Sequence, residues 1–237
     1  TTWTYDNPGW VSGNTYILTP KSYDNASNVE TPADRVPASW SFTFDNIGPT
    51  SNGTFPTNGS ALSSVSAITG TASDLTSDVS MVEVNIKNTT TTRYWTGSTW
   101  VVVENNWPDA TGTSNWSTWW YNMSSWDEGN SYLVKSRATD VVSNIETSGI
   151  NISFIYDTIK PTTVITLPTN SAIIKTLPQI SGTAVDNASG VNNVKLSIKN
   201  VTNTLYYTGS SWGGSEIYLS ASGTNSWTYT SPTWSDG

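Results

Sequence analysis

Carboxylates, amides and aromatic rings are the side chains of this sequence whose chemistry could serve a function. The chain has 18 Asp and Glu residues but no His and no Cys. Histidine is the commonest general base and cysteine the usual thiolate, so zinc hydrolases and Ser–His–Asp or Cys–His catalysis are excluded. The adjacent Asp127 and Glu128 could in principle form a glycosidase pair, but no activated partner accompanies them. We therefore expect no enzymatic activity.

The charge balance of the chain narrows the class of partner. Its formal net charge is −8, and charged residues make up only 12 % of the sequence. Nucleic acids and anionic membranes bind cationic patches, so we expect neither as a partner. No apolar run is long enough to cross a bilayer, so we expect no membrane insertion of this segment. An acidic surface is compatible with divalent cations, although solubility explains it equally well.

A period of about 112 residues organises the sequence. Three segment pairs lie 112 positions apart: ITGTASD (68–74) with ISGTAVD (180–186), VEVNIKN (82–88) with VKLSIKN (194–200), and YWTGSTW (94–100) with YYTGSSW (206–212). A Trp-x-Tyr pattern, followed by Trp five positions later, begins at Trp3, Trp119 and Trp227. A repeat of this length exceeds a solenoid unit and fits one β-sandwich domain.

The repeat phase predicts three segments. Residues 1–48 would be the C-terminal part of one repeat, 49–160 a complete repeat, and 161–237 the N-terminal part of a third. Neither partial repeat could bury its apolar face alone. Two hypotheses remain open: the chain is a window from a longer tandem array, or the partial repeats complete each other between subunits, as in strand-complemented pili. We favour the window, because 225–237 duplicate 1–13.

Period-two alternation predicts that strands build each repeat. Val82, Val84 and Ile86 alternate with polar residues, and the copy at 194–200 keeps the same apolar face. RYWTGSTWVVV predicts a tight hairpin with Gly97 at a positive φ. No stretch has a sustained period of 3.6, so the sequence predicts an all-β fold with essentially no helix.

The end of the complete repeat resembles a known family. In WDEGNSYLVKSRA, Trp126 precedes Tyr132 by six positions, as in the corner of fibronectin type III and related sandwiches. ATDVVSNIE (138–146) and its copy ending at Glu30 resemble a turn of bacterial and archaeal extracellular Ig-like repeats. DTIKPT (157–162) and DNIGPT (45–50) resemble the linkers of those arrays. The resemblance implies tandem Ig-like or fibronectin III-like β-sandwich domains with an extracellular or cell-surface location.

The resemblance also implies calcium at the joints between repeats. In such arrays a joint Asp combines with Asp and Asn side chains from neighbouring loops, and hard cations favour these oxygen ligands. The candidate ligands are the following: Asp24, Asn28, Asp45, Asp140, Asn144 and Asp157, with Asp74 and Asp186 as further candidates. The alternative interpretation is that these residues only form turns, since Asx side chains bond their own backbone.

The aromatic residues divide into recurring and single positions. Recurrence at equivalent repeat positions predicts core packing for most of the 13 Trp residues. Trp40, Trp107 and Trp116 do not recur, so they are candidates for exposed contacts, for example stacking on sugar rings.

Repetition without a distinctive site is typical of a spacer or polymer. We expect a structural repeat segment of an extracellular fibre, filament or cell-surface stalk, whose partners are further repeats of a longer chain or neighbouring subunits. The alternative is an adhesin or carbohydrate-binding module of a surface or secreted protein that binds surface polysaccharide.

Overall fold

The fold is all-β, as the alternation predicts. The computed structural model describes residues 2, 4–34, 39–104, 106–147, 149, 151–232 and 234. Helix in this part of the chain is confined to one 3-10 turn at Pro32–Asp34. The strands in chain order are β1 (Thr15–Leu18), β2 (Trp40–Thr43), β3 (Thr50–Phe55), β4 (Ser60–Leu62), β5 (Ala67–Ser73), β6 (Val79–Asn88), β7 (Arg93–Trp95), β8 (Trp100–Val101), β9 (Thr111–Gly112), β10 (Trp119–Asn122), β11 (Ser131–Asp140), β12 (Asn151–Tyr156), β13 (Thr162–Leu167), β14 (Gln179–Val185), β15 (Lys195–Leu196), β16 (Lys199–Asn200), β17 (Leu205–Tyr207), β18 (Trp212–Gly213), β19 (Leu219–Ser220) and β20 (Ser226–Thr230).

The chain divides into two compact units. The first comprises residues 1–60, 65–126 and 131–154, and the second comprises 61–64, 127–130 and 155–237. The sheets have the strand orders β1-β2, β3-β5-β10-β9, β4-β12-β11-β6-β7-β8, β13-β14-β20, β15-β19 and β16-β17-β18. Several antiparallel sheets are consistent with a β-sandwich.

The core of the first unit is built on the long hairpin-like pair β6 and β11. Val134 lies opposite Ile86 and Ala138 opposite Val82 in the antiparallel register, and all four side chains are buried. Each of the three larger side chains, Val82, Ile86 and Val134, contributes about 1.5–3 kcal/mol by leaving water. The alternation predicted from sequence is therefore realised along both strands.

Buried tryptophans recur where the repeat predicts packing. Trp119 and Trp227 are fully buried, and each ring lies on a glycine of the neighbouring strand, Gly70 and Gly182. A Cβ at Gly70 would lie 2.2 Å from Cζ2 of Trp119, so only glycine admits the ring there. The third copy, Trp3, lies outside the described residues.

An aromatic cluster marks the predicted corner in two places. Trp126 packs edge-to-face on Tyr132 at 4.8 Å between ring centroids. Trp10 packs in the same way on Tyr16 at 4.6 Å, and the Tyr16 hydroxyl accepts a 2.9 Å hydrogen bond from the Val11 N–H. That hydrogen bond holds the loop upstream of β1.

The second unit departs from the prediction along residues 194–200. This stretch alternates like β6 but forms two short strands, β15 and β16. In the first unit β11 runs beside β6 over its whole length. No described strand of the second unit lies on that side of β15 and β16, so the ladder that would straighten the stretch is missing.

Candidate functional site

The loop that follows β11 is organised by Asp140. Its Oδ1 accepts the N–H groups of Val142 (2.9 Å) and Asn144 (2.8 Å), and its Oδ2 accepts the Asn144 side-chain amide at 2.8 Å. Ser143 takes a positive φ within the turn. Asp140 therefore acts as a turn former, in agreement with one of the two interpretations of its sequence motif.

The loop that follows β1 has the same bonds around Asp24 but different surroundings. Asp24 accepts the Ala26 and Asn28 N–H groups and the Asn28 amide at 2.7–2.8 Å. The side-chain amide of Asn28, and then its N–H, hold the pKa of Asp24 below the ordinary value. Among the residues that the structure describes, Asp24 belongs to no group of three carboxylates. Asp24 and Asn28 therefore stabilise only their own loop.

Asp45 follows β2 and lies close to the loops that contain Asp74 and Asp140. Its Oδ1 accepts the Ser12 hydroxyl at 3.0 Å and the Ile47 N–H at 3.2 Å. Its Oδ2 is buried, and among the described residues no group meets it with hydrogen-bond geometry. The Ser77 hydroxyl contributes most to holding the pKa of Asp45 below the ordinary value, followed by Ile47 and Ser12. Ser77 attracts the carboxylate without completing a hydrogen bond.

Three carboxylates converge at this first joint. Asp45, Asp74 and Asp140 each offer an oxygen, and these three atoms lie within 4.8 Å of one another. Asp74 is held in its own loop by the Thr76 and Ser77 N–H groups, both at 2.8 Å. At this separation each charge pair repels by about 1–3.5 kcal/mol for an effective dielectric constant of 80 to 20. A buried oxygen without a donor among several carboxylates is a donor set that suits a hard cation.

Asn144 lies at the edge of this acidic cluster. Its amide nitrogen donates to Asp140 and makes a longer contact of 3.4 Å with the Asp45 carbonyl oxygen. The residue thereby ties the loop after β11 to the joint. The backbone at Gly48 also packs closely against this loop, since a Cβ there would lie 2.7 Å from the Ile145 carbonyl oxygen.

The second joint, at Asp157, is built by analogous groups. Asp157 Oδ2 accepts the Ser189 N–H at 3.0 Å, and the Ser189 hydroxyl contributes most to lowering the pKa of Asp157. Asp186 holds that loop by accepting the Ala188 and Gly190 N–H groups. Within the described residues no third carboxylate completes a cluster here. The structure therefore groups Asp45, Asp140 and Asn144 at one joint and leaves Asp157 at another.

The candidate aromatic contacts have different environments. Trp107 is half-buried, and the Arg137 guanidinium lies 4.4 Å from its ring centroid. Trp116 is half-buried over Gly112, where a Cβ would lie 2.3 Å from the ring. Trp40 is exposed on the face of β2. Of the three, Trp40 alone presents most of its ring to solvent.

Ser12 and Ser77 were not among the candidates from sequence, and Glu128 was considered only as half of a glycosidase pair, although each of the three contacts a joint. Ser12 bonds Asp45 and the Asn46 N–H, and Glu128 accepts the Thr158 N–H at 2.8 Å. Ser12 and Glu128 lie 116 residues apart, which is also the separation of Trp3 and Trp119, so aligning these repeated Trp-x-Tyr patterns could have found the pair. Their residue types differ, which hides the equivalence.

Comparisons with known proteins add no assignment. No protein-family model matches the chain, and no curated protein matches it significantly. Among the residues that the structure describes, none belongs to a helix with the length and apolar character needed to span a bilayer.

Proposed function

We propose that the chain is a structural segment of an extracellular fibre, filament or cell-surface stalk, built from tandem Ig-like domains. The observation that carries this proposal is the recurrence of one joint design at Asp45 and Asp157. A spacer keeps its length and direction only when the connections between its domains resist bending. We therefore expect a structural segment to have side chains that hold these connections in place.

Both joints use direct bonds instead of a free linker. At each joint, a side chain from the preceding corner loop accepts a hydrogen bond from the N–H of the residue that follows the joint Asp. Ser12 Oγ accepts the Asn46 N–H, and Glu128 Oε2 accepts the Thr158 N–H. Each bond removes freedom from a backbone that would otherwise act as a hinge. Fixing one residue costs about 1–2 kcal/mol in entropy, so several bonds per joint are needed to hold it.

The joint aspartates make the connection to the following loop. Asp157 accepts the Ser189 N–H, and the Ser77 hydroxyl faces Asp45. Asp45 Oδ1 also accepts the Ile47 N–H, and Asp157 Oδ1 accepts the Ile159 N–H at 3.1 Å. The same two functions thus fall on residues 112 positions apart, as expected for domains added in series.

Calcium is the cation that we propose for the first joint. Asp45, Asp74 and Asp140 would supply its protein oxygens, and water would complete the coordination that Ca²⁺ requires. The cation would offset the repulsion of the three carboxylates and link the joint to two loops of the next repeat. Asp24, Asn28 and Asp157 are then structural residues of turns and joints.

The adhesin alternative receives less support from the aromatic residues. A sugar ring needs an accessible aromatic face, and Arg137 covers one face of Trp107 while Trp116 lies on its own hairpin. Repeated joints therefore support the structural function better than these two side chains support sugar binding.

Immunogold electron microscopy of intact cells tests the proposal. An antibody raised against the purified chain should label filaments or stalks along their length, and preadsorption with the same chain should abolish the labelling. Labelling seen only after permeabilisation, or scattered over the cell body without any extended structure, would contradict the proposal.

A further inference from the structure

We infer that Asn122 is a modification site that carries an N-linked oligosaccharide, whose first sugar packs on the ring of Trp120. The inference rests on the extracellular location proposed above, because cells attach N-linked sugars to exported proteins. The site lies on the outer face of the sheet β3-β5-β10-β9, away from both joints.

The sequence motif for N-glycosylation is not selective in this chain. Asn, Ser and Thr are abundant, so Asn-x-Ser/Thr occurs nine times, and a match alone identifies no site. The structure separates the nine by accessibility. Asn88, for example, is only 1 % exposed, so its amide is out of reach of an enzyme that acts on the folded chain. Asn122 is exposed.

Strand β10 presents the two recognised side chains of the motif on one face. Trp119 and Met123 are buried, with 0 % and 4 % exposure, so they point into the core. Side chains alternate along a strand, which places Trp120 and Asn122 on the outer face. Ser124 follows the strand and is exposed. Strand β9 pairs only with Trp119 and Trp120, so Asn122 lies beyond its end and is open to an enzyme on that side.

Trp120 provides a stacking surface next to this amide. Residues two apart in a strand are separated by about 7 Å and share a face, so the first sugar on Asn122 lies within reach of the half-buried ring. The C–H groups of a sugar pack favourably on the negative face of an aromatic ring. Among the nine motifs, only Asn25 also follows an aromatic residue by two positions, and Lys21 lies 5.5 Å from the centroid of that ring, Tyr23.

The other copies of the repeat differ at all three positions of this site. The framework residues Trp119, Tyr121 and Trp126 recur in every copy. The outward positions between them do not: Trp120, Asn122 and Ser124 are replaced by Thr4, Asp6 and Pro8 in one copy and by Thr228, Thr230 and Pro232 in the other. The ring, the amide and the hydroxyl thus occur together in one copy, as expected if they serve one purpose.

The sheet around the site is uncharged. Its four strands contain no Asp, Glu, Lys or Arg, although the chain has a net charge of −8. In the other sheet β6 and β11 carry Glu83, Lys87, Lys135 and Arg137 between their buried positions. A face that combines a tryptophan with no charge is poorly hydrated, and an oligosaccharide would both cover the ring and solubilise the face.

The attachment is a group transfer without any change of oxidation state. The co-reactant is an oligosaccharide linked to a lipid pyrophosphate. The side-chain nitrogen Nδ2 of Asn122 forms a bond to the anomeric carbon of the first sugar, and the bond from this carbon to the pyrophosphate oxygen breaks. The lipid pyrophosphate leaves with the electron pair, and one Nδ2 proton passes to a base of the transferase.

Mass spectrometry of the full chain purified from the cell surface tests the modification. Electron-transfer fragmentation of its peptides should locate a sugar on Asn122 and none on the buried Asn88. Ser124→Ala removes the motif and should abolish the modification at Asn122. Ser125→Ala is the matched control, because this exposed serine lies next to the motif but outside it, and the sugar should remain.

A thermal double-mutant cycle tests the contact with Trp120. In chain purified from cells, Ser124→Ala should lower Tm by about 2–4 °C, the shift that one stacking contact gives in a chain of this size. In a Trp120→Thr background the same substitution should change Tm by less than about 1 °C. Chain made by cell-free translation without membranes has no sugar donor, so Ser124→Ala should leave its Tm unchanged. Circular dichroism checks that every variant is folded.

Four results would overturn the inference or one of its parts. An unmodified Asn122 in chain from cells would overturn it, and so would a sugar on Asn88, since a buried amide is modified only in an unfolded chain. Equal effects of Ser124→Ala with and without Trp120→Thr would refute the contact with the ring. Filament labelling together with an unmodified Asn122 would refute the modification alone and leave the proposed function standing. A sugar on Asn122 in a chain that labels no filament or stalk would support the modification and refute the proposed function.

Discussion

Calcium should raise the thermal stability of the first unit through the three carboxylates at the Asp45 joint. Extracellular calcium modules bind with dissociation constants of about 10⁻⁴–10⁻³ M. At about 10 mM Ca²⁺ this range corresponds to about 1.4–2.7 kcal/mol of stabilisation. One kcal/mol shifts Tm by about 2–4 °C for a unit of 150–250 residues, so the expected increase is about 3–11 °C.

The assay is differential scanning calorimetry of the full chain, dialysed against EDTA and then measured with CaCl₂ or MgCl₂ at equal ionic strength. The informative variant is Asp74→Asn, with Asp186→Asn as its matched control. Both Asp residues accept two backbone N–H groups through Oδ1, which an Asn carbonyl can replace. Asp74→Asn should lose the calcium-dependent shift, and Asp186→Asn should retain it.

Three results would refute the reasoning. Equal Tm values in EDTA and calcium would show that the carboxylates tolerate one another without a cation. An equal shift in both variants would place the calcium elsewhere on the acidic surface. A gain in Tm on replacing Asp74 in EDTA, without any calcium response in the wild type, would show that repulsion alone operates at the joint.

Three further predictions concern stability. Gly70→Ala should lower the free energy of unfolding, measured in urea titrations, by about 1–3 kcal/mol or more, because the new Cβ would lie 2.2 Å from a backbone oxygen and from a buried indole. Gly214→Ala is the control: no atom lies within 4 Å of its Cβ position, so the free energy of unfolding should change by less than about 0.5 kcal/mol. Val134→Ala should cost about 2 kcal/mol in a dilute sample, since the side chain is buried, and Leu18→Ala under about 1 kcal/mol; equal losses would contradict the assignment of their faces. Asp45→Asn should weaken the loss of stability at acid pH. The lowered pKa of Asp45 stabilises the folded wild type at pH values above the ordinary pKa of 3.8, and this contribution disappears as the pH falls from about 4 towards the lower pKa of the folded state. An unchanged acid limb in fluorescence-monitored urea titrations would show that Asp45 does not contribute to it.

Local pattern was sufficient to predict the strands but not their partners. The alternation of Val82, Val84 and Ile86 predicts β6, and the turn around Gly97 predicts the β7–β8 hairpin, where Gly97 has a φ of 100°. The same alternation at 194–200 does not make a continuous strand, because strand length also depends on the neighbour that completes the ladder. That neighbour is a long-range property, which a window of seven residues does not contain.

The candidate site likewise depends on contacts between segments that are distant in the sequence. Asp24 and Asp140 head loops with the same bonds, yet only Asp140 meets carboxylates from two other segments, one of them 95 residues earlier in the chain. Trp107 stands alone in the repeat pattern and so predicts exposure, but Arg137, 30 residues away, stacks on its ring. Sequence spacing identifies residues that belong to the same loop, whereas a binding site forms where several loops lie close together.

Exposure in a repeated sequence therefore reports the completeness of each repeat and not only its residue types. Val134 and Leu18 occupy one repeat position and have similar hydrophobicity, but they differ in exposure because β6 lies beside β11, whereas β2 is the only described strand that pairs with β1. Repeat position and residue type therefore do not determine the exposure of a side chain by themselves, because its burial also depends on a strand that is distant in the sequence.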